Sequence, residues 1–191
     1  MSSHHIVREK QEPALLVLGL DTFTDELLGQ LLEWSPTVMV TCATAERVDA
    51  MGIKLDIVID PKANTEDLQS DIKTIPTSDD NPTETALKYL IAHNYPAVNI
   101  ITDEFLLKDY LFFVDKINIV IYNGYQKIYP IASGFSKWKP AGEGIRLIHH
   151  PVSLHSSGLQ NTGDDHYVTT HDGFFTLQFD QPFIFISETI V

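Results

Sequence analysis

Five acids in this sequence stand where acids can do chemistry. Asp21 follows the apolar run ALLVLGL, Asp60 follows DIVI, and Asp103 comes soon after AVNII. Asp79 and Asp80 fall between IKTIP and the helix start NPTETALKYL. Carboxylates gathered at one edge of a sheet hold Mg²⁺, and the ion in turn holds a triphosphate. Acids at strand ends also cap helices and solvate loops, and both uses stay open at this point. Asp60 runs into Pro61, Lys62 and Ala63, so the second acid expected beside it is missing.

Other groups invite the same weighing. The helix start at Asn81 offers free N–H groups to a phosphate, yet Asp79 and Asp80 would compete for that positive end unless a metal bridged them. LGLDTFTD after the first run has one Gly where a phosphate loop or dinucleotide fingerprint needs several. Cys42 ends an apolar run and reads as a nucleophile or, more commonly, a small buried thiol. His149, His150, His155, His166 and His171 crowd the last third near Asp164, Asp165 and Asp172. They read as zinc ligands or as ordinary surface histidines, since no pair shows an HxH spacing. Tyr125 and Trp138 could wall an aromatic ligand.

The elements that must position these groups follow from periodicity. Residues 1–12 read as a flexible tail. ALLVLGL (14–20) is a continuous apolar run, as in a strand buried on both faces. TDELLGQLLEW (24–34) is a helix with Leu27, Leu28, Leu31 and Leu32 on one face. Strand 37–42, a short helix 43–51 closed by Gly52, and strands 55–59 and 72–76 come next. Asn81, Pro82 and Glu84 open a helix whose apolar face carries Ala86, Leu87, Leu90 and Ile91. Strand 97–101, a helix over 103–116 and strand 117–123 complete the alternation. This predicts an α/β unit over 13–123, a Rossmann-like, mostly parallel sheet with helices on both faces. From 124 to 191 short β runs such as YQKIYPIA, IRLIHH and FFTLQF replace the helical period, predicting a small all-β, sandwich-like unit.

Composition sets the outer bounds. The chain has 191 residues, is 43% hydrophobic and carries a net charge of -13. Its three arginines, Arg8, Arg47 and Arg146, form no basic cluster, which argues against nucleic acid or an anionic membrane as partner. One cysteine precludes an intrachain disulfide. No signal-peptide pattern and no membrane-length apolar run occur, so a cytoplasmic protein is expected.

The order and spacing of these segments resemble the thiamine pyrophosphokinase family, which transfers a diphosphate from ATP to thiamine. AMGIKLDIVID, SDDNPTETALKYLIAHNYPAVNII and INIVIYNGYQKIYPIA are similar to three family segments in the same order. The resemblance spans most of residues 14 to 191. It implies a two-part fold, a homodimer, Mg²⁺ and ATP as cofactors, and thiamine or a related heteroaromatic as the small-molecule partner. It also implies erosion. The family's Asp-Gly pair falls at Cys42-Ala43, and its Gly-Asp-x-Asp-Ser falls at Asp60, Pro61, Lys62, Ala63 and Asn64. Its Lys-Asp-x-Thr-Asp falls at Ser78, Asp79, Asp80, Asn81 and Pro82, and its Arg-x-Asp-His at Leu107, Lys108, Asp109 and Tyr110. The resemblance therefore leaves Asp60, Asp79 and Asp109 as the catalytic set, with Asp60 and Asp79 as metal ligands. Lys62, Asn64 and Asp80 would meet the phosphates. Weak or lost kinase activity is expected. The alternatives are a non-catalytic small-ligand-binding protein on this fold and an α/β enzyme acting on another phosphorylated substrate.

Overall fold

A computed structural model describes residues 12–59, 69–77 and 81–190. The chain divides into two compact units between Gly124 and Tyr125. The protein is mixed α/β, with three α-helices among the described residues.

The first unit contains β1 (Ala14–Val17), α1 (Asp25–Leu32), β2 (Val38–Thr41), α2 (Cys42–Ala50), β3 (Ile57–Ile59), β4 (Lys73–Ile75), α3 (Pro82–Ala92), β5 (Ala97–Ile101) and β6 (Asn118–Asn123). Its strands run in the order β4-β3-β2-β1-β5-β6, and every neighbouring pair is parallel. β1, β2 and β3 are buried at every position, as continuous apolar strands covered on both faces should be. β4 lies at the edge and is largely exposed.

Local chemistry sets the helix ends. Thr24 caps α1 by accepting the Leu27 N–H. Of the expected apolar face only Leu28 is fully buried, and Leu27, Leu31 and Leu32 are half-buried. α2 begins at Cys42 because Thr41 and Thr44 form a reciprocal capping box. The Thr44 hydroxyl also donates to the Val17 carbonyl at 2.9 Å, fastening α2 to β1. Asn81 caps α3 by accepting the Glu84 N–H at 2.8 Å, with Pro82 in the first turn. Ala86, Leu87 and Leu90 are fully buried, and each leucine contributes about 1.5–3 kcal/mol of apolar burial.

The helix expected over 103–116 does not form. Only a short 3-10 turn, Leu107–Asp109, stands there. The Thr102 hydroxyl both donates to the Glu104 carbonyl and accepts its N–H, bending the chain at once. Successive three-residue bonds follow, from Asp109 N–H to Leu106, Tyr110 to Leu107, Phe113 to Tyr110 and Lys116 to Phe113. Tyr110 is buried and stacked on Phe105 at 5.7 Å, whereas Phe112 faces out. Aromatic anchoring, not a helical stripe, explains the apolar spacing.

The second unit contains β7 (Gln126–Ile131), β8 (Phe135–Lys139), β9 (Gly144–Leu147), β10 (Leu154–Ser157), β11 (Leu159–Gly163), β12 (His166–Thr169), β13 (Gly173–Phe179) and β14 (Ile184–Thr189). Antiparallel strands β11-β12-β9-β14-β7 and β10-β13-β8 form its two groups. Ile131, Leu147 and Ile186 of the first group share one core with Phe175, Leu177 and Phe179 of the second. Sequence patterning misses β8, β10 and β11, which carry no fully buried residue.

Candidate functional site

The direction of the chain around the parallel sheet reverses between β1 and β5. In such sheets ligands bind beyond the carboxyl ends of the strands at that reversal. A cleft of about 600 Å³ lies there, within the first unit, reached by Leu18 after β1, Thr41 at the end of β2, Cys42 and Ala43 at the start of α2, and Thr102 to Glu104 after β5. Asn81, Pro82 and Thr83 at the start of α3 and Lys108 and Asp109 from the 3-10 turn complete its wall.

The loop after β1 is held by one carboxylate. Asp103 Oδ2 accepts the Asp21 N–H at 3.0 Å, and Oδ1 accepts the Thr22 N–H and the Thr22 hydroxyl, each at 2.9 Å. Burial works against the Asp103 charge, but these bonds and the nearby Arg47 hold its carboxyl below the usual range. Gly19 makes the approach possible. A Cβ there would fall 2.2 Å from Asp103 Oδ2 and 2.9 Å from the Asp103 backbone nitrogen. Arg47 of α2 closes the loop from the other side, donating to Asp21 Oδ1 at 2.7 Å and to the Leu20 carbonyl at 3.2 Å.

Asp21 and Asp103, two of the acids expected at this edge, are therefore engaged with the protein itself. Asp109 does reach the cleft, and its Oδ1 accepts a hydrogen bond from Asn81 Nδ2 at 3.2 Å. Asp60, Lys62, Asn64, Asp79 and Asp80 lie outside the described residues. Among the described residues no group of three His, Cys, Asp or Glu side chains could hold a metal ion. These residues alone do not fit Mg²⁺.

What the described cleft offers an anion is two helix starts and one ammonium, set against the carboxylates of Asp103, Glu104 and Asp109. α2 and α3 both begin at its wall, and the first turn of a helix has N–H groups without intrahelical acceptors. Lys108 adds an exposed ammonium beside Asp109. Sequence reading passed over Lys108 because a helix at 103–116 gives no reason to aim it inward. Thr102 was also missed, since a buried threonine after an apolar run looks like core. Cys42 lines the cleft and donates its thiol to the Ile59 carbonyl at 3.4 Å.

The histidines of the second unit do not converge. His150 pairs with Asp165, His171 bonds the Thr170 hydroxyl, and His166 stands across from Arg146. Trp138 and Tyr125 are exposed, at 53% and 61%, and Trp138 is registered opposite the exposed Phe174.

No family model matches this chain, and no curated protein sequence matches it significantly. Solved structures do. A thiamine pyrophosphokinase from Bacillus subtilis is similar at a TM-score of 0.66 and 12% identity, over 94% of this chain and 100% of its own. A thiamin pyrophosphokinase from Geobacillus thermodenitrificans gives 0.65 and 14%, over 93% and 98%. A probable thiamine pyrophosphokinase from Staphylococcus saprophyticus gives 0.67 and 14%, over 94% and 99%. At these identities the likeness is one of fold.

Proposed function

We propose that this chain is a divergent thiamine pyrophosphokinase-type protein that holds a phosphorylated ligand in the cleft beyond β1, β2 and β5. Transfer of diphosphate from ATP to thiamine is weak or lost. The Rossmann-like reading of the first unit and the sandwich-like reading of the second belong to this proposal. The observation that carries it is the cleft itself, at the reversal point of a parallel sheet in a chain whose fold is shared with thiamine pyrophosphokinases over nearly its full length.

The anion-binding part rests on the starts of α2 and α3 and on Lys108, which need no metal to attract a phosphate. Diphosphate transfer asks for more. Charge developing on the transferred group must be neutralised, a contribution of several kcal/mol in related reactions. Asp60 and Asp79 are the acids this reading offers to Mg²⁺, with ATP as donor. Lys62, Asn64 and Asp80 would face the phosphates, and Asp109 is a polar contact in the cleft wall beside Asn81. The engagement of both Asp103 oxygens supports the loss of activity, because that acid is not left to supplement the pair, and Asp21 is tied through Oδ1 to Arg47.

The test follows AMP and thiamine diphosphate together from purified protein, thiamine, ATP and Mg²⁺. Stoichiometric formation of both, abolished by Asp60→Asn, would show retained activity and overturn its loss. Absence of product beside an active control enzyme, with ATP still bound in the presence of EDTA, is the expected result. Absence of both product and nucleotide binding would remove the proposal.

A further inference from the structure

The second unit concentrates its positive charge. Lys127, Lys137 and Lys139 are three of its four Lys and Arg residues, and all approach Glu188 from β7 and β8. Glu188 is only 5% exposed, and both of its oxygens are taken. Oε1 accepts the Tyr129 hydroxyl at 2.6 Å and Lys137 Nζ at 2.9 Å. Oε2 accepts Lys137 Nζ at 2.7 Å and stands 3.5 Å from Lys139 Nζ. Lys139 is shared with Glu143 Oε2, also at 3.5 Å.

Lys127 is the one left over. It lies directly across the β7–β14 pair from Glu188, yet among the described residues its ammonium has no ion-pair or hydrogen-bond partner. The facing carboxylate already accepts two hydrogen bonds on Oε1 and one on Oε2, with the Lys139 ammonium 3.5 Å from Oε2. Lys127 Nζ sits 6.0 Å from the centroid of the Tyr129 ring, and Lys137 Nζ sits 5.4 Å from the same centroid. Two ammonium groups thus share one ring, and three lysines face two glutamates in a chain of net charge -13.

We infer that Lys127 anchors a binding site for a small oxyanion, the phosphate or carboxylate group of a ligand, seated on its ammonium beside the Tyr129 ring. Lys137, whose ammonium already donates to both Glu188 oxygens and to the Tyr129 hydroxyl, adds only its charge. A half-buried cation without an ion-pair or hydrogen-bond partner gains most from a charge-assisted hydrogen bond. Burial and the repulsion of Lys137 and Lys139, against the attraction of Glu188, hold Lys127 below its ordinary range. A bound anion would offset that repulsion. The site lies wholly within the second unit and does not rest on the cleft of the first.

Equilibrium dialysis of radiolabelled inorganic phosphate at low ionic strength tests this on the full chain, with Lys127→Gln, Lys108→Gln and Lys88→Gln compared. The expected result is saturable binding that Lys127→Gln weakens at least tenfold at one site and Lys88→Gln leaves unchanged. Binding removed by Lys108→Gln but untouched by Lys127→Gln would assign phosphate to the α/β cleft alone and overturn this inference. So would the absence of saturable binding. A second measurement needs no variant: phosphate should slow acetylation of Lys127 at least threefold relative to Lys88, read by peptide mass spectrometry. Equal rates with and without phosphate would also overturn it.

Discussion

Replacing Gly19 by alanine tests how the β1 edge of the cleft is built. The added Cβ would lie 2.2 Å from Asp103 Oδ2, 2.8 Å from its Cγ and 2.9 Å from its backbone nitrogen. Rotating the Asp103 side chain relieves the first two contacts but not the third. Forcing a methyl group into a packed position costs about 1–3 kcal/mol. Displacing the carboxylate also breaks the bonds from the Asp21 and Thr22 N–H groups and the Thr22 hydroxyl. Because that loop is exposed, water recovers much of this loss, and the clamp adds about 1–2 kcal/mol. The total, about 3 kcal/mol, should lower the urea midpoint by about 1–2 M with an unchanged slope. Hydrogen exchange should quicken in β1 and β5 and not in β13. In an Asp103→Ala background only the backbone approach remains, so Gly19→Ala should cost about 1–2 kcal/mol less there. A single variant within about 0.5 kcal/mol of the unsubstituted protein, or costs that simply add, would refute the clamp.

Asn81→Ala removes the α3 cap and the bond to Asp109, and should cost about 1 kcal/mol in chemical unfolding. Lys137→Met leaves the buried Glu188 with Tyr129 and the more distant Lys139. It should destabilise by about 2–3 kcal/mol, and adding Glu188→Leu should restore part of that loss in the same assay. The acid limb of stability has a defined sign. Burial opposes the charge of Asp103 and of Glu188, but hydrogen bonds outweigh it and hold both below their ordinary values of 3.8 and 4.5. Their contribution is fully present above those values and is lost as pH falls through the lowered ones. Unfolding measured from about pH 5 down to about pH 2 should therefore show a shallower decline for Asp103→Asn than for the unsubstituted protein.

The sequence displays some of this architecture openly and hides the rest for identifiable reasons. β1 and β3 are continuous apolar runs, and Asn81-Pro82 announces α3 through its own capping chemistry. The 103–116 segment misleads because Phe105, Tyr110 and Phe113 repeat at near-helical spacing while serving as separate anchors along a chain of tight turns. From sequence, Asp103 stays open between a metal-facing and a structural role, because a carboxylate at a strand end reads the same whether it faces a cation or backbone N–H groups. Only the close approach of Gly19, a residue without a motif, separates the two. The Glu188 cluster has no local signature at all, since its members come from residues 127 to 188 and meet only through strand register.

The position of β1 also has a consequence for how the chain is made. Leu15 pairs with Val38 on one side and with Asn99 on the other. β2 therefore reaches it early in synthesis, while β5 arrives some sixty residues later. At about 5–20 residues per second that gap lasts on the order of 3–12 seconds. Throughout it, one flank of an entirely apolar strand has its hydrogen-bonding groups open to any passing edge. A nascent chain arrested between Thr41 and Ile101 should therefore be the form that aggregates or recruits a chaperone, whereas release of β5 should end that exposure in one step.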